Sequence, residues 1–352
     1  TRTDHLGLAI GTSSNSKSNQ SVAIGYASSA EAPGANPENP ATAVGAGANA
    51  NGAGTVALGL SANATGTNAV ALGGGSNGGT NKTEATAANT TAIGFNAKAS
   101  KSGAAAIGSG AKASGSDSIS FGTDTVADSE KAIAIGAGSK ATNIGATALG
   151  RSSAATAASA TAVGSLASAT GTTATAVGIE ASASGAESLA IGKTASATSG
   201  RALAVGTNAK ATGASSVAVG SGAGNSGPLG FASSINSLGS VVNSLKTINY
   251  ATTAEGDYAV ALGVYANAKN SGVAVGQNAL AATGGVAIGK GVLEDTGNNL
   301  AGGVAIGQDS ASTGAYSLAM GRHAFASGST SMAMGYEASA NGNFAVAMGR
   351  NV

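Results

Sequence analysis

The residues able to do chemistry in this chain are few and widely separated. Among 352 residues there are two histidines, His5 and His323, and no cysteine. A zinc site needs several nitrogen or sulfur ligands at short spacing. Neither histidine has a second within reach, so no metal site is expected, and His323, just past Gly321, is expected on a surface turn. The acidic pairs Asp124/Asp128, Glu255/Asp257 and Glu294/Asp295 carry the right oxygens for Ca²⁺. No EF-hand or glycine-rich nonapeptide pattern surrounds them, so they read as solvated turn residues. Gly108-Ser109-Gly110 and Gly220-Ser221-Gly222 look like phosphate-cradling loops, but no Gly-Lys-Ser/Thr follows either. Gly79-Thr80-Asn81-Lys82-Thr83 lacks the adjacent Gly-Lys and fails the same test. The expectation is therefore no catalytic residue, no cofactor and no metal: not an enzyme.

Composition narrows the field further. Charged residues make up 9% of the chain, aromatics 3%, and the net charge is +1. Basic residues are scattered without interleaved aromatics, which gives nucleic-acid binding no support. No stretch approaches the roughly 18 apolar residues of a membrane-spanning helix. The opening Thr1-Arg2-Thr3-Asp4 has no signal-peptide pattern. On this reading the chain is either soluble or a mature piece of something longer. So much Gly and Ser (57 Gly) would ordinarily suggest disorder, but here a strict period overrides that reading.

The period is fourteen residues. Its core is a small or apolar residue, Ala, a larger aliphatic and Gly, as in Val22-Ala23-Ile24-Gly25, Leu203-Ala204-Val205-Gly206 and Val346-Ala347-Met348-Gly349. The motif occurs 22 times, and 15 of the 21 intervals between closing glycines equal fourteen. The residue two before the glycine is Ala in 21 copies, with Ser120 the exception. Small residues dominate three and five after it, as at Ala209 and Ala211. Self-similarity at fixed spacing signals a stacked architecture. The apolar–Ala–apolar alternation has period two, which argues strand, and recurrent Gly excludes long helices. Fourteen residues fit two short strands and two tight turns, with Gly supplying positive φ. Coils stacked in parallel would repeat at roughly 4.8 Å.

Alternation also assigns the two faces. In Ser21-Val22-Ala23-Ile24-Gly25, Ser21 and Ala23 share one side and Val22 and Ile24 the other. A flat two-strand coil has room inside only for small side chains, so the aliphatic column must face outward. Repeated over many coils it exceeds the few hundred Å² of apolar patch that a soluble monomer tolerates. The economical cover is further copies of the chain in a cyclic oligomer.

Four stretches break the period: 26–40, with Pro33, Pro37 and Pro40; 74–90; 290–303; and 221–257. In the last, Phe231, Ile235, Leu238, Val242, Leu245 and Ile248 recur at helical steps and predict a helix over 231–248. The domain reading is a first roll segment, 1–220, an insertion, 221–257, and a second roll segment, 258–352.

The motif Ser-Val-Ala-Ile-Gly, two variable residues, then small-x-Ala-x-Gly resembles the head repeat of trimeric autotransporter adhesins, the YadA-like head. Ser216-Val217-Ala218-Val219-Gly220 and Asn208-Ala209-Lys210-Ala211-Thr212-Gly213 carry it closely, and the likeness spans about four-fifths of the chain. The resemblance implies an all-β, left-handed parallel β-roll assembled as a homotrimer on the outer surface of a Gram-negative bacterium. It implies adhesion, with a role in virulence, to collagen, fibronectin or laminin, to cells or to abiotic surfaces. Under it the trimer core would be Ile24, Leu58, Leu72, Ile93, Ile107, Ile135, Ile191, Val205, Val219, Leu262, Ile288, Ile306, Met320, Met334 and Met348. No neck motif, coiled-coil stalk or C-terminal anchor is visible, so the chain reads as an isolated head fragment. The alternatives are a trimeric phage or fibre shaft, an ice- or crystal-binding solenoid with ranked threonines, and a hexapeptide-repeat acyltransferase. The last has coils of about eighteen residues with a six-residue sub-period and a catalytic His at an interface, neither of which fits period fourteen.

Overall fold

The computed structural model describes residues 6–32, 40–75, 81–221, 252–294 and 302–352. The chain divides into two compact units, Thr1–Ala174 and Thr175–Val352, each built on one plan. Among the described residues every regular element is a short β-strand. A three-residue strand and a shorter strand, usually of two residues, alternate along the chain, as in Leu203–Val205 followed by Lys210–Ala211.

Each strand pairs in parallel with its equivalent one coil away. In the second unit Ile191, Val205 and Val219 are consecutive partners, as are Ala190, Ala204 and Ala218. In the first, Ala106, Ser120 and Ala134 stand in register, as do Ile107, Phe121 and Ile135. Like residues therefore meet like, which is why a repeat in sequence becomes columns in space.

Two turns close each coil. The Ala209 N–H donates to the Gly206 carbonyl at 3.2 Å, and the Ala202 N–H to that of Ser199 at 3.2 Å. The third residue of each turn has positive φ, +58° at both Asn208 and Arg201, the mark of a type II turn. The closing glycine answers a second demand. Gly192 has φ +129°, and a Cβ there would lie 2.5 Å from the carbonyl oxygen of Gly206 in the next coil. No other residue fits that backbone or that spacing.

The interior is almost entirely alanine. Except in the terminal strands Leu8–Ile10 and Val346–Met348, the middle residue of each three-residue strand is buried while its neighbours are at least partly exposed, as in Thr161–Val163 and Leu203–Val205. Val292 and a set of threonines are the largest fully buried side chains among the described residues. Several buried hydroxyls satisfy themselves locally. Ser153 Oγ donates to the Gly150 carbonyl at 2.9 Å, and Ser216 Oγ to that of Gly213 at 2.7 Å. A Ser can thus replace Ala at the last position of a turn with its hydroxyl bonded, although Ser139, Ser188 and Ser331 at the same position leave Oγ without a partner. Ser120, the one departure from Ala, lies 2.6 Å from Thr125 Oγ1, which is also bonded to the Gly122 carbonyl.

The expected all-β parallel solenoid with a small-residue core is present. The helix expected over 231–248 lies outside the described residues. The roll resumes by Thr252: Thr253–Ala254 pairs with Lys210–Ala211 on one side and Asn267–Ala268 on the other. That strand falls inside the stretch assigned to the insertion 221–257. Likewise Ser29–Glu31, Glu84–Ala85 and Leu293–Glu294 are strands inside the three expected loops. The broken period concealed them because each interruption falls between strands and leaves the pairing intact.

Candidate functional site

The chemistry-bearing residues do not converge. His323 is a positive-φ turn residue, φ +57°, with its ring edge-on to Tyr336 at 6.2 Å between centroids. His5 and Asp295 lie outside the described residues. Asp128 pairs with Lys112 at 3.1 Å, and Asp257 accepts the backbone N–H of Ala214 at 2.8 Å. Asp124 occupies a turn at φ +53°. Among the described residues no group of three metal-ligating side chains is present. Gly108 and Gly110 form an ordinary closing turn, at φ +131° and +68°.

What does converge is the aliphatic column. In the first unit Ile24, Leu58, Leu72, Ile93, Ile107 and Ile135 each occupy the last position of a three-residue strand. In the second unit Ile191, Val205, Val219, Leu262, Ile288, Ile306, Met320, Met334 and Met348 do the same. None is buried within the chain, and Leu58, Ile135, Ile191 and Ile288 are each more than a third exposed. The outward face the sequence assigned them is the face they take.

The register extends the column to the remaining copies of the 22-fold motif. Ile10, Val44, Phe121, Leu149 and Val163 complete the column in the first unit, Val177 and Val275 in the second. A companion column two residues earlier, including Val22, Val56 and Val70, then Leu189, Leu203 and Val217, runs beside it. Near the end of the second unit Ile306, Met320, Met334 and Met348, with their glycines, line an open apolar groove of about 650 Å³. Period two, which sets Val22 and Ile24 on one side, accounts for both columns.

In each unit this geometry offers an apolar face on a roll with a small-residue interior. It suits binding and assembly. No curated protein matches this chain. The YadA head domain repeat matches residues 6–35, 40–62, 50–76, 85–111, 113–139, 141–167, 169–195, 197–223, 250–266, 254–279, 301–324 and 326–351. Those segments follow the coils described above, and the chain belongs to the YadA head domain family of adhesin-type surface proteins.

Proposed function

We propose that the chain is the head of a trimeric surface adhesin, three left-handed rolls sharing their aliphatic columns along a common axis. One observation carries the proposal. Among the described residues the interior is filled by Ala, Ser and Thr with Val292 the one larger exception, while every large aliphatic of the three-residue strands stays partly exposed. Covering it is favourable at about 25 cal/mol per Å² of apolar surface, and the column repeats that gain coil after coil. The family supports three copies.

In this arrangement the short strands and both turns of each coil face outward on a bacterial outer surface. Their repetition supports multivalent attachment, in which many weak contacts add to high avidity without one deep pocket. Collagen, fibronectin, laminin, host cells and abiotic surfaces are the partners the family suggests. Sedimentation of the purified chain tests the assembly: a mass of three chains is expected, and a stable monomer at micromolar concentration refutes it. Attachment of cells displaying the chain to surfaces coated with each matrix protein, and to bare surfaces, tests the adhesin reading. Attachment no stronger than that of undecorated cells on every surface refutes it.

A further inference from the structure

The turn after each closing glycine carries a pattern of its own in the second unit. The residues directly following Gly289, Gly307, Gly321, Gly335 and Gly349 are Lys290, Gln308, Arg322, Tyr336 and Arg350. The strands before them are consecutive parallel partners, Ile288 to Ile306 to Met320 to Met334 to Met348, so each residue sits one coil from the next. The turns are themselves hydrogen-bonded to one another. Asp309 N–H donates to Lys290 O at 3.0 Å, His323 to Gln308 at 3.0 Å, Glu337 to Arg322 at 3.0 Å and Asn351 to Tyr336 at 2.9 Å. This edge is a ruler with roughly 4.8 Å divisions.

Cations fall on every second division, at Lys290, Arg322 and Arg350, roughly 9.6 Å apart by that spacing. The intervening coils carry carboxylates in the next position, Asp309 and Glu337. Tyr336 lies between the two arginines, its ring centre 5.8 Å from the Arg322 guanidinium carbon and 5.4 Å from that of Arg350. Cation–π contact on both sides holds two flexible side chains in place. The ion pairs among the described residues involve Lys17, Lys82, Lys98, Lys112 and Lys131, so neither arginine is neutralised by a carboxylate. A planar guanidinium held but unpaired is a receptor for a carboxylate or sulfate.

We propose that this edge binds an anionic polysaccharide bearing one charge on every second sugar. A sugar ring with its linkage advances by about one coil, so alternate charges meet the cations and neutral rings pass the acids. A polymer charged at every unit would set half its charges against Asp309 and Glu337. Single-stranded nucleic acid, charged at every nucleotide, likewise sets part of its charges against Asp309 and Glu337. The inference names a ligand class for the adhesin reading and rests on it. Its test uses purified protein, so its failure leaves surface attachment standing.

The probes are hyaluronan, with one carboxylate per two sugars, polygalacturonate, with one on each, neutral dextran and single-stranded DNA. Binding of the full chain is measured by calorimetry or biolayer interferometry at low and at physiological salt. Hyaluronan is expected to bind more tightly than the other three and to weaken with salt. R322Q and R350Q are each expected to lower its affinity by about tenfold. Y336S, which frees both guanidiniums, should weaken it as well. R151Q, the same substitution after a closing glycine of the first unit, should leave it unchanged. Absent hyaluronan binding, equal or tighter binding of polygalacturonate or DNA, or R322Q and R350Q indistinguishable from R151Q would each overturn the proposal.

Discussion

Ile191 and Val205 stand in register on neighbouring parallel strands, one coil apart, on the outer side of the three-residue sheet. Between their backbones and the core lie only Ala190 and Ala204, both fully buried. The larger residues are thus outside and the smaller inside, the reverse of a self-contained domain. The inversion follows from the coil's thickness: two sheets one alanine deep cannot admit an isoleucine. In the proposed trimer this outward column is the surface that the copies share.

Ile191→Asp and Val205→Asp test that surface. On a free roll either change touches a partly exposed position and should alter stability by no more than about 1 kcal/mol. At a three-fold seam it brings three unpaired carboxylates out of water. Each variant is expected to sediment as a monomer with a lowered melting temperature. Unchanged mass and melting would move the seam elsewhere.

Gly192→Ala separates the demands of the closing turn. Its φ of +129° and the Gly206 carbonyl 2.5 Å from a built Cβ both oppose a side chain. The expected cost is about 2 kcal/mol or more. Gly145→Asn is the control. Its φ is +64°, and the nearest atom to its Cβ is Ser159 Oγ at 3.7 Å. Asn tolerates that conformation, so the change should stay within about 0.5 kcal/mol. Thermal unfolding of both variants reads the contrast; equal effects would show that φ, and not the neighbouring coil, sets the requirement.

The core predicts its own tolerance. Ser120→Ala should cost under about 1 kcal/mol, because Thr125 keeps its bond to the Gly122 carbonyl and the Lys112 N–H keeps the Thr125 carbonyl. Ala190→Leu should cost about 3 kcal/mol or more, since overpacking has no slack to use in so thin a layer. Denaturant titration distinguishes them. A mild Ala190→Leu would mean that the sheets can part.

Deletion of 228–250 should leave the roll folded. Val217 pairs directly with Val260, and Thr252 Oγ1 donates to the Gly263 carbonyl at 2.7 Å, so the coils on either side already meet. Solenoid coils depend on their neighbours and not on remote segments. Unchanged melting and circular dichroism beyond the loss of the deleted residues are expected. Global unfolding would make the insertion integral.

The sequence alone determined the repeat, the strand character, the burial of the small positions and the outward turn of the aliphatic ones. Period two forces Ala23 and Ile24 to opposite faces whatever surrounds them. The strands hidden in the interrupted stretches, such as Glu84–Ala85 and Thr253–Ala254, needed the tertiary structure. Their partners lie 14 to 43 residues away in the chain, and no local signal marks which residues resume the register. The Arg322–Tyr336–Arg350 contact was equally illegible. Those residues are fourteen apart, and only the stacking of one turn on the next, a consequence of parallel pairing, sets a ring between two guanidiniums.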